Sequence, residues 1–450
     1  MKVFNKNKEL KKLRIKQNKN TYIKKVSIVI SCFILLIGII YFTFAKFESN
    51  SPEYTLINGK VTSSSKDVNV IAIYKGTEQV NEIPTRGSGW LFDRAECTNG
   101  ATIEWNYDGW GPDVRNLTTK TKCSLYFKQG QIAVDYLNTI ASTTDSLLTD
   151  GTTDNNLRYV GSNPNNYVSF NNELWRIIGV MNNIETESGE TKSLVKIIRN
   201  ESLGNYSWDT TASGVNNGYG VNEWSQADLM QELNNDYLGT VTIGTDGNWY
   251  NNNNNSKTAA KPSTTISSEA QNKIESVKWN LGSPSNNAGS YDSNWTSVSA
   301  PTSYARERSN YTGKVCTSGT YCNDTVTRTS SWTGKIALMY PSDYLYATAG
   351  GNATNRTTCL GLGMYTDWSN TSYTDCKNND WLYNSSITQW TLSPSANLSH
   401  ANHVFFVYST GYVNGGNALL AYGVSPVVFL KSSISITGGD GSSTTPYTIG

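Results

Sequence analysis

The sequence predicts an α+β protein with an N-terminal transmembrane helix, a small disulfide-linked β-domain and a larger α+β head. Three observations predict this class. One uncharged stretch near the N-terminus is long enough to cross a bilayer. Strand-like segments dominate the start and end of the remaining chain, with helical patterns between them, an order typical of α+β folds. Six cysteines follow the uncharged stretch, and an even number in an exported segment indicates disulfide bonds.

The uncharged stretch runs from Val26 to Phe44 and reads VSIVISCFILLIGIIYFTF. As a helix rising about 1.5 Å per residue, it would span about 28 Å, close to the roughly 30 Å hydrocarbon core of a bilayer. Residues 1–25 contain ten Lys or Arg and one acid, Glu9, which gives a local charge of +9. The positive-inside rule places this basic tail in the cytoplasm and the C-terminal bulk outside the cell.

We therefore predict a single-pass cell-membrane protein with a cytoplasmic tail (1–25), a transmembrane helix (26–45) and a polar tether (46–56). Two alternatives stay open. A cleaved signal peptide would have a shorter apolar run and a better small-residue site than Thr43-Phe44-Ala45. A lipoprotein anchor at Cys32 would turn polar after the cysteine, whereas here the apolar run continues.

The charge balance argues against a nucleic-acid partner. The net charge of the whole chain is +1, so the chain after residue 25 carries +1 minus +9, which is −8. Binding to the phosphate backbone needs a basic surface, which a mildly acidic chain lacks. At 37% hydrophobic and 11% aromatic residues the chain has enough apolar surface to fold, and its 450 residues suggest two or three domains.

Beyond the tether we predict three parts. Residues 57–128 form a small β-domain, because short β-branched and alternating segments such as VNVIAIY (68–74) are separated by Gly, Asn and Pro turns. Residues 129–156 form a connector with one short helical pattern. Residues 157–450 form the head.

In the head, LWRIIGV (174–180) and SLVKIIR (193–199) predict a strand hairpin. Helical spacing predicts two helices, 224–238 and about 268–281, with Ser225 capping the first. Late strands are predicted at 403–409 and 424–431. An Asn/Ser/Thr-rich insertion at about 240–330 is predicted to be mostly loop apart from the second helix.

The six exported cysteines do not reveal their pairing by spacing alone. We predict that sequence neighbours pair: Cys97 with Cys123, Cys316 with Cys322, and Cys359 with Cys376. Each bond would close a short loop and stabilise the fold by about 2–4 kcal/mol.

Several segments carry a resemblance to known proteins. LRYVGSNPNNYVSFNNELWRIIGV, NEWSQADLMQELNNDYL, GKIALMYPSDYLYATAGG and GVSPVVFLKSSISITGG resemble a family of uncharacterised surface proteins of low-GC Gram-positive bacteria, many from gut communities. The order of the Trp-Ser-x-x-x-Leu helix, the Trp-x-x-Ser-Pro strand and the final Val-x-Pro-Val strand is also similar to C-type-lectin-like domains of the sulfatase-modifying-factor kind. This second resemblance implies a C-type-lectin-like head and no particular reaction.

The search for catalytic groups favours a non-enzymatic function. The two histidines, His400 and His403, lie in a loop entering a strand, and no nucleophile elbow, P-loop or dinucleotide motif is present. We predict no catalytic residues, no metal site and no cofactor. The alternative is an oxidase of the sulfatase-modifying-factor type, which would need Cys359 and Cys376 as a reactive pair. A structural envelope component is a further alternative.

The aromatic content points to a binding surface. Tyrosine and tryptophan, here 27 and 13 residues, provide rigid contact area with one polar group each. The segment STGYVNGGNALLAY (409–422) is predicted to be displayed between two late strands. The predicted ligand-binding residues are Tyr408, Tyr412, Asn414, Asn417, Tyr422 and Trp390. We thus expect a cell-surface module whose partners are the membrane and an extracellular glycan or protein.

Overall fold

The computed structural model describes residues 54–55, 68–211, 220–239, 247–252, 256–282, 294–309, 327–395 and 402–450. The chain divides into two compact units. Among the described residues, the smaller unit comprises those up to Pro84 together with Phe92–Asn106 and Trp110–Lys128. The larger unit comprises Thr85–Leu91, Tyr107–Gly109 and Gln129–Gly450.

The smaller unit is built from strands. They are β1 (Tyr54–Thr55), β2 (Val68–Lys75), β3 (Glu78–Val80), β4 (Trp90–Cys97), β5 (Thr102–Asn106), β6 (Gly111–Arg115) and β7 (Thr121–Gln129). The main sheet has the order β1-β2-β7-β4, with β3 on β2 and a parallel β2–β7 pair, while β5 and β6 form a separate hairpin. Buried Trp105, Leu125 and Phe127 form its core.

The larger unit contains the remaining strands. They are β8 (Gln131–Ile132), β9 (Leu147–Thr149), β10 (Leu157–Tyr159), β11 (Tyr167–Phe170), β12 (Glu173–Glu185), β13 (Thr191–Arg199), β14 (Asn205–Ser207), β15 (Asn248–Tyr250), β16 (Lys257–Ala260), β17 (Ile274–Glu275), β18 (Val277–Asn280), β19 (Ser331–Gly334), β20 (Ile336–Ala337), β21 (Gln389–Pro394), β22 (His403–Val407), β23 (Val413–Asn417), β24 (Ala421–Gly423), β25 (Val427–Leu430), β26 (Ser435–Gly438) and β27 (Thr448–Ile449).

Its α-helices, within the described residues, are short. They are α1 (Ala133–Ile140), α2 (Asp228–Gln231), α3 (Ser268–Lys273), α4 (Ala300–Glu307), α5 (Pro341–Tyr346), α6 (Arg356–Gly361) and α7 (Thr374–Asn378). Single turns of 3-10 helix lie at Trp224–Gln226, Trp295–Ser297 and Thr371–Tyr373, and Glu232–Tyr237 is π-helical.

Two sheets organise the larger unit. The first has the order β17-β25-β13-β12-β10-β9, with β11 on β12 and β20 on β25. Consecutive residues of β12 and β13, such as Ile177 and Ile178, are buried, so both faces of this sheet are covered. The second sheet has the order β14-β24-β21-β22-β23 and carries the predicted aromatic surface at one end. The predicted 174–180 and 193–199 hairpin is present as β12 and β13.

The α+β prediction is wrong, because the described residues are mostly β, with 40% in strands and 18% in helices. The predicted helix at 224–238 is interrupted at Ala227, whose backbone is extended, and it widens into a π-helix at Glu232. Ser225 does not cap it; instead the Glu223 side chain accepts a hydrogen bond from the Ser225 amide.

The predicted helix at 268–281 ends at Lys273. The next residue, Ile274, is extended and pairs with Leu430, and Val277 and Trp279 are buried on alternate positions of β18. Sheet pairing therefore overrides the helical spacing there. The insertion also holds more structure than predicted, including the β15–β16 hairpin and α4.

In the part of the chain that the structure describes, no helix is both long and apolar enough to span a membrane. The longest α-helices there, α1 and α4, have 8 residues, or about 12 Å against the roughly 30 Å of a bilayer core. The transmembrane helix predicted at 26–45 lies outside the described residues, as do the cytoplasmic tail and most of the tether. The structure thus gives no support to the membrane-spanning part of the predicted fold class.

Two of the three predicted disulfides are confirmed. Cys97 is bonded to Cys123 in the smaller unit, and Cys359 is bonded to Cys376 in the larger one. Cys316 and Cys322 lie outside the described residues.

Candidate functional site

The tyrosines predicted to bind a ligand meet at one end of the second sheet. Strand register places Trp390 opposite Phe406, and Phe406 opposite Asn414, so these three side chains share one face. Tyr408 follows β22 two residues after Phe406 and lies near the same face, because side chains alternate along a strand. Tyr422, on β24, packs against this face with its ring 4.7 Å from that of Trp390 and 4.8 Å from that of Phe406.

The ring contacts continue beyond the sheet. The ring centroids of Phe406 and Tyr408 are 6.1 Å apart, those of Tyr408 and Tyr412 are 5.4 Å apart, and those of Tyr412 and Tyr365 are 5.1 Å apart. Tyr365, Tyr408, Tyr412 and Tyr422 are all partly exposed; we call these four residues the tyrosine strip. Tyr408 is 37% exposed, whereas Phe406 beneath it is 4% exposed.

A tight turn between β22 and β23 sets the spacing of Tyr408 and Tyr412. The Tyr408 amide donates to the Tyr412 carbonyl, and the Gly411 amide donates to the Tyr408 carbonyl. Gly411 has a φ of 94°, in the left-handed region that glycine adopts without strain. This is the three-residue hairpin loop with a glycine bulge, whose geometry brings the two flanking tyrosines side by side.

The rest of the larger unit holds this turn in place through its carbonyl groups. The Ser409 carbonyl accepts a hydrogen bond from the Tyr383 hydroxyl at 3.1 Å. The Thr410 carbonyl accepts one from Lys377 Nζ at 2.7 Å, and the Gly411 carbonyl accepts one from the Tyr344 hydroxyl at 2.9 Å. With all three carbonyls of the loop bonded, the turn is preorganised, which lowers the entropy lost when a ligand binds.

The hydroxyls of Tyr412 and Tyr422 remain protonated at neutral pH. Partial burial raises the pKa of Tyr412, and burial together with the neighbouring Tyr408 raises the pKa of Tyr422. Each hydroxyl can therefore both donate and accept a hydrogen bond. The strip thus offers apolar ring faces edged by hydroxyl groups, and it contains no Asp, Glu, Lys, Arg or His.

The other predicted site residues have different roles. Trp390 is 1% exposed and its indole Nε1 donates to the Tyr206 carbonyl at 2.9 Å, so it supports the strip from below. Asn417 accepts a hydrogen bond from the Leu419 amide and shapes the turn after β23. Asn414 is half-buried beside Phe406, and its Oδ1 accepts from the Gly415 amide.

Sequence reasoning missed Tyr365. It lies in the loop after α6, and the Val413 amide donates to the carbonyl of its neighbour Met364, which brings Tyr365 against Tyr412. The sequence feature that could have identified Tyr365 is its position in a glycine-rich stretch, LGLGMY. The segment predicted as a long displayed turn, 409–422, instead contains β23 and part of β24.

A separate cluster of charged groups lies inside the larger unit. Arg158 pairs with Asp150 and with Asp343, at 2.8 Å each, and Lys196 Nζ lies 2.5 Å from Asp343 Oδ2. All four residues are buried, with Arg158, Lys196 and Asp343 each 1% exposed. The cluster is electrically balanced, as buried charges must be, and is closed to a ligand from solvent.

The cysteines and histidines that a redox or metal site would require lie elsewhere. Cys359 and Cys376, required by the oxidase alternative, are bonded to each other and are 0% exposed. His403 begins β22, and His400 lies outside the described residues. Over the described ranges, no group of three or more His, Cys, Asp or Glu side chains is placed to hold a metal ion.

Comparison with known proteins finds no matching family model, no matching curated protein and no matching solved structure.

Proposed function

We propose that this chain is an exported surface protein whose larger unit binds a neutral glycan on the tyrosine strip. The observation that carries the proposal is the run of four partly exposed tyrosines around a loop whose three carbonyls are all hydrogen-bonded. Aromatic rings whose only role is to pack the core are normally buried. A rigid surface of partly exposed rings therefore indicates a binding role.

The chemistry of the strip suits a sugar. A pyranose ring has an apolar C–H face and a rim of hydroxyls, and a tyrosine has an apolar ring and one hydroxyl. Tyrosine supplies such amphipathic contact area with only two side-chain torsions to restrain, so little conformational entropy is lost on binding.

The charges near the strip favour a neutral ligand. The four strip side chains are uncharged, and the ammonium group of the nearby Lys377 donates to the Thr410 carbonyl. Specific recognition of an anionic ligand usually uses arginine forks or lysines aimed at the ligand. A neutral polysaccharide or glycan therefore fits better than an acidic one.

Two features support placement outside the cytoplasm. Stable disulfides such as Cys97–Cys123 and Cys359–Cys376 are typical of exported proteins. The uncharged 26–44 segment with its basic flank supports attachment at the cell membrane with the C-terminal bulk outside. On this proposal the units carrying the disulfides face the extracellular medium.

The two alternatives lead to different expectations. A thiol-dependent oxidase would have to reduce and uncover the Cys359–Cys376 pair before either sulfur could react. A structural envelope component would self-associate at concentrations where the glycan-binding head stays monomeric.

A glycan array probed with the purified full-length chain tests the proposal. We expect retention on neutral glycans, and loss of retention for Tyr408→Ala. The matched control is Tyr74→Ala, which removes a half-exposed tyrosine stacked on Tyr126 in the smaller unit and should leave binding unchanged. Equal retention of wild type and Tyr408→Ala, or no retention on any glycan, would contradict the proposal. Capture of a protein ligand lost on Tyr408→Ala would keep the strip as the site but replace the ligand class.

A further inference from the structure

The Lys196 amine and the Asp343 carboxylate are in direct contact within the core of the larger unit. Nζ lies 2.5 Å from Oδ2, although the two residues are 147 positions apart in the chain. Both side chains are almost fully buried, at 2% and 1% exposure. We propose that these two groups condense into an isopeptide bond, which covalently joins β13 to the start of α5.

The surroundings of the amine exclude water. Nζ lies 4.4 Å from the ring centroid of Tyr340 and 5.6 Å from those of Trp279 and Phe429. Burial lowers the pKa of Lys196 to about 8, although the charge of Asp343 opposes the shift. At neutral pH, the fraction of Lys196 in the neutral amine form, which is the nucleophilic form, is therefore much larger than for a lysine in water.

The carboxyl group is held for attack by fixed donors. Arg158 Nη1 donates to Asp343 Oδ1 at 2.8 Å, and the Tyr340 amide donates to Oδ2 at 2.8 Å. A guanidinium on Oδ1 stabilises the negative charge that develops there when an amine adds to the carboxyl carbon. The contact with Lys196 keeps the reacting groups together without further loss of entropy.

A buried acid holds the residue that precedes Asp343. Glu307 is 0% exposed, and its carboxylate accepts hydrogen bonds from the backbone amide and hydroxyl of Ser342, the residue before Asp343. Burial raises the pKa of Glu307, and the charge of Asp343 adds to the rise. The Glu307 carboxylate thus fixes Ser342, and with it the start of α5 that carries Asp343.

The reaction balances with one water as its only by-product. Nζ of Lys196 forms a bond to Cγ of Asp343, and the bond from Cγ to Oδ2 breaks. The ammonium group transfers two protons to Oδ2, with which it is in direct contact, and Oδ2 leaves as water. The lysine and aspartate charges vanish together, leaving a neutral amide beside the balanced Arg158–Asp150 pair.

Removing two charges from the core favours the product. Two ions buried in a low-dielectric interior bear a desolvation penalty that their mutual attraction only partly offsets. A neutral amide avoids this penalty. The bond would also fix two distant segments, giving an exported domain resistance to unfolding beyond that of its disulfides.

Peptide mapping of the wild-type chain after reduction of its disulfides tests the proposal without any variant. Trypsin does not cleave after an acylated lysine, so we expect one branched species containing both Lys196 and Asp343, lighter by one water than the sum of its two peptides. Recovery of two separate linear peptides, with cleavage after Lys196, would overturn the proposal.

A pair of variants gives a second, independent readout by intact mass under denaturing conditions. Lys196→Arg keeps a cation beside Asp343 and is expected to restore the missing water. Lys192→Arg changes another ion-paired lysine on the same strand, β13, and is expected to keep the water deficit. A deficit that persists in Lys196→Arg would contradict the assignment to this lysine.

Discussion

The ammonium group of Lys377 donates a hydrogen bond to the carbonyl of Thr410, with Nζ and O separated by 2.7 Å. Lys377 follows Cys376, which is bonded to Cys359, so the disulfide and the loop of the tyrosine strip are mechanically linked. The side chain also lies against Gly411, where an added Cβ would come within 2.4 Å of Lys377 Cδ. The contact therefore helps to set the geometry of the proposed binding surface.

Replacing this lysine is expected to loosen the loop while leaving the fold intact. Lys377→Met keeps much of the side-chain length and removes the hydrogen bond to Thr410, with a loss of about 1–2 kcal/mol of stability. Hydrogen exchange of the Gly411 amide should accelerate, because this amide closes the loop.

The control for that experiment is Lys431→Met, which changes an exposed lysine of the same unit. It should leave the exchange rate of Gly411 unchanged. Equal rates in all three proteins would show that Lys377 does not restrain the loop.

The two disulfides are expected to act on different units. Changing both Cys359 and Cys376 to Ser opens a loop of sequence separation 17, which should lower the free energy of unfolding of the larger unit by about 3 kcal/mol. Changing both Cys97 and Cys123 to Ser should instead destabilise the smaller unit. Urea unfolding followed by limited proteolysis shows which unit each double variant destabilises. If either double variant destabilises both units equally, the assignment of one disulfide to each unit is contradicted.

Several strands in both units were predictable from the local sequence pattern. The β12–β13 hairpin is encoded by two β-branched apolar runs separated by a polar stretch, and β7 by the alternation ending at Phe127. The neighbouring cysteine pairs were predictable because short loops close most easily. These features depend on residues that are close together in the sequence.

Other features depend on distant partners and were missed. Ile274 leaves a helical pattern because Leu430 offers it a strand partner. Tyr365 joins the strip only through the Met364–Val413 hydrogen bond. Asp343 caps α5, since its carboxylate accepts from the Tyr340 amide, but its pairing with Lys196 has no local signal in the sequence.

A buried glutamate should make the stability of the larger unit pH-dependent. Glu232 is 3% exposed, and burial raises its pKa from 4.5 to about 9. Between these two values the folded state binds a proton that the unfolded state releases, so the contribution of Glu232 to stability is largest at low pH and falls as pH rises through this window. The slope for one proton is at most about 1.4 kcal/mol per pH unit.

Glu232→Gln should flatten this pH dependence, because a neutral amide can replace the protonated acid and still accept from the Tyr250 amide. Urea unfolding at about pH 6 and about pH 8 provides the measurement. Glu269→Gln, at a side chain that is 83% exposed, serves as control and should follow wild type. A Glu232→Gln slope equal to that of wild type would contradict the assignment.

Trp390 is expected to affect binding indirectly, by supporting Tyr422. Trp390→Phe removes the hydrogen bond to the Tyr206 carbonyl and leaves a small void, which should destabilise the fold by about 1–3 kcal/mol. Trp381→Phe is a matched control, because its indole makes an equivalent 2.9 Å bond to the Tyr159 carbonyl. Both variants should be less stable than wild type, but only Trp390→Phe should weaken glycan binding. Equal glycan affinities of the two variants in calorimetry would refute the supporting role of Trp390.

Calorimetry with a glycan retained by the full-length chain tests the binding surface most directly. Changing both Tyr408 and Tyr412 to Ala removes two ring faces and should weaken binding by at least about tenfold, equivalent to about 1.4 kcal/mol. Changing both tyrosines to Phe keeps the rings and should weaken binding by less than about tenfold. If the double alanine variant binds as tightly as the unchanged protein while remaining folded, the tyrosine strip is not the binding site.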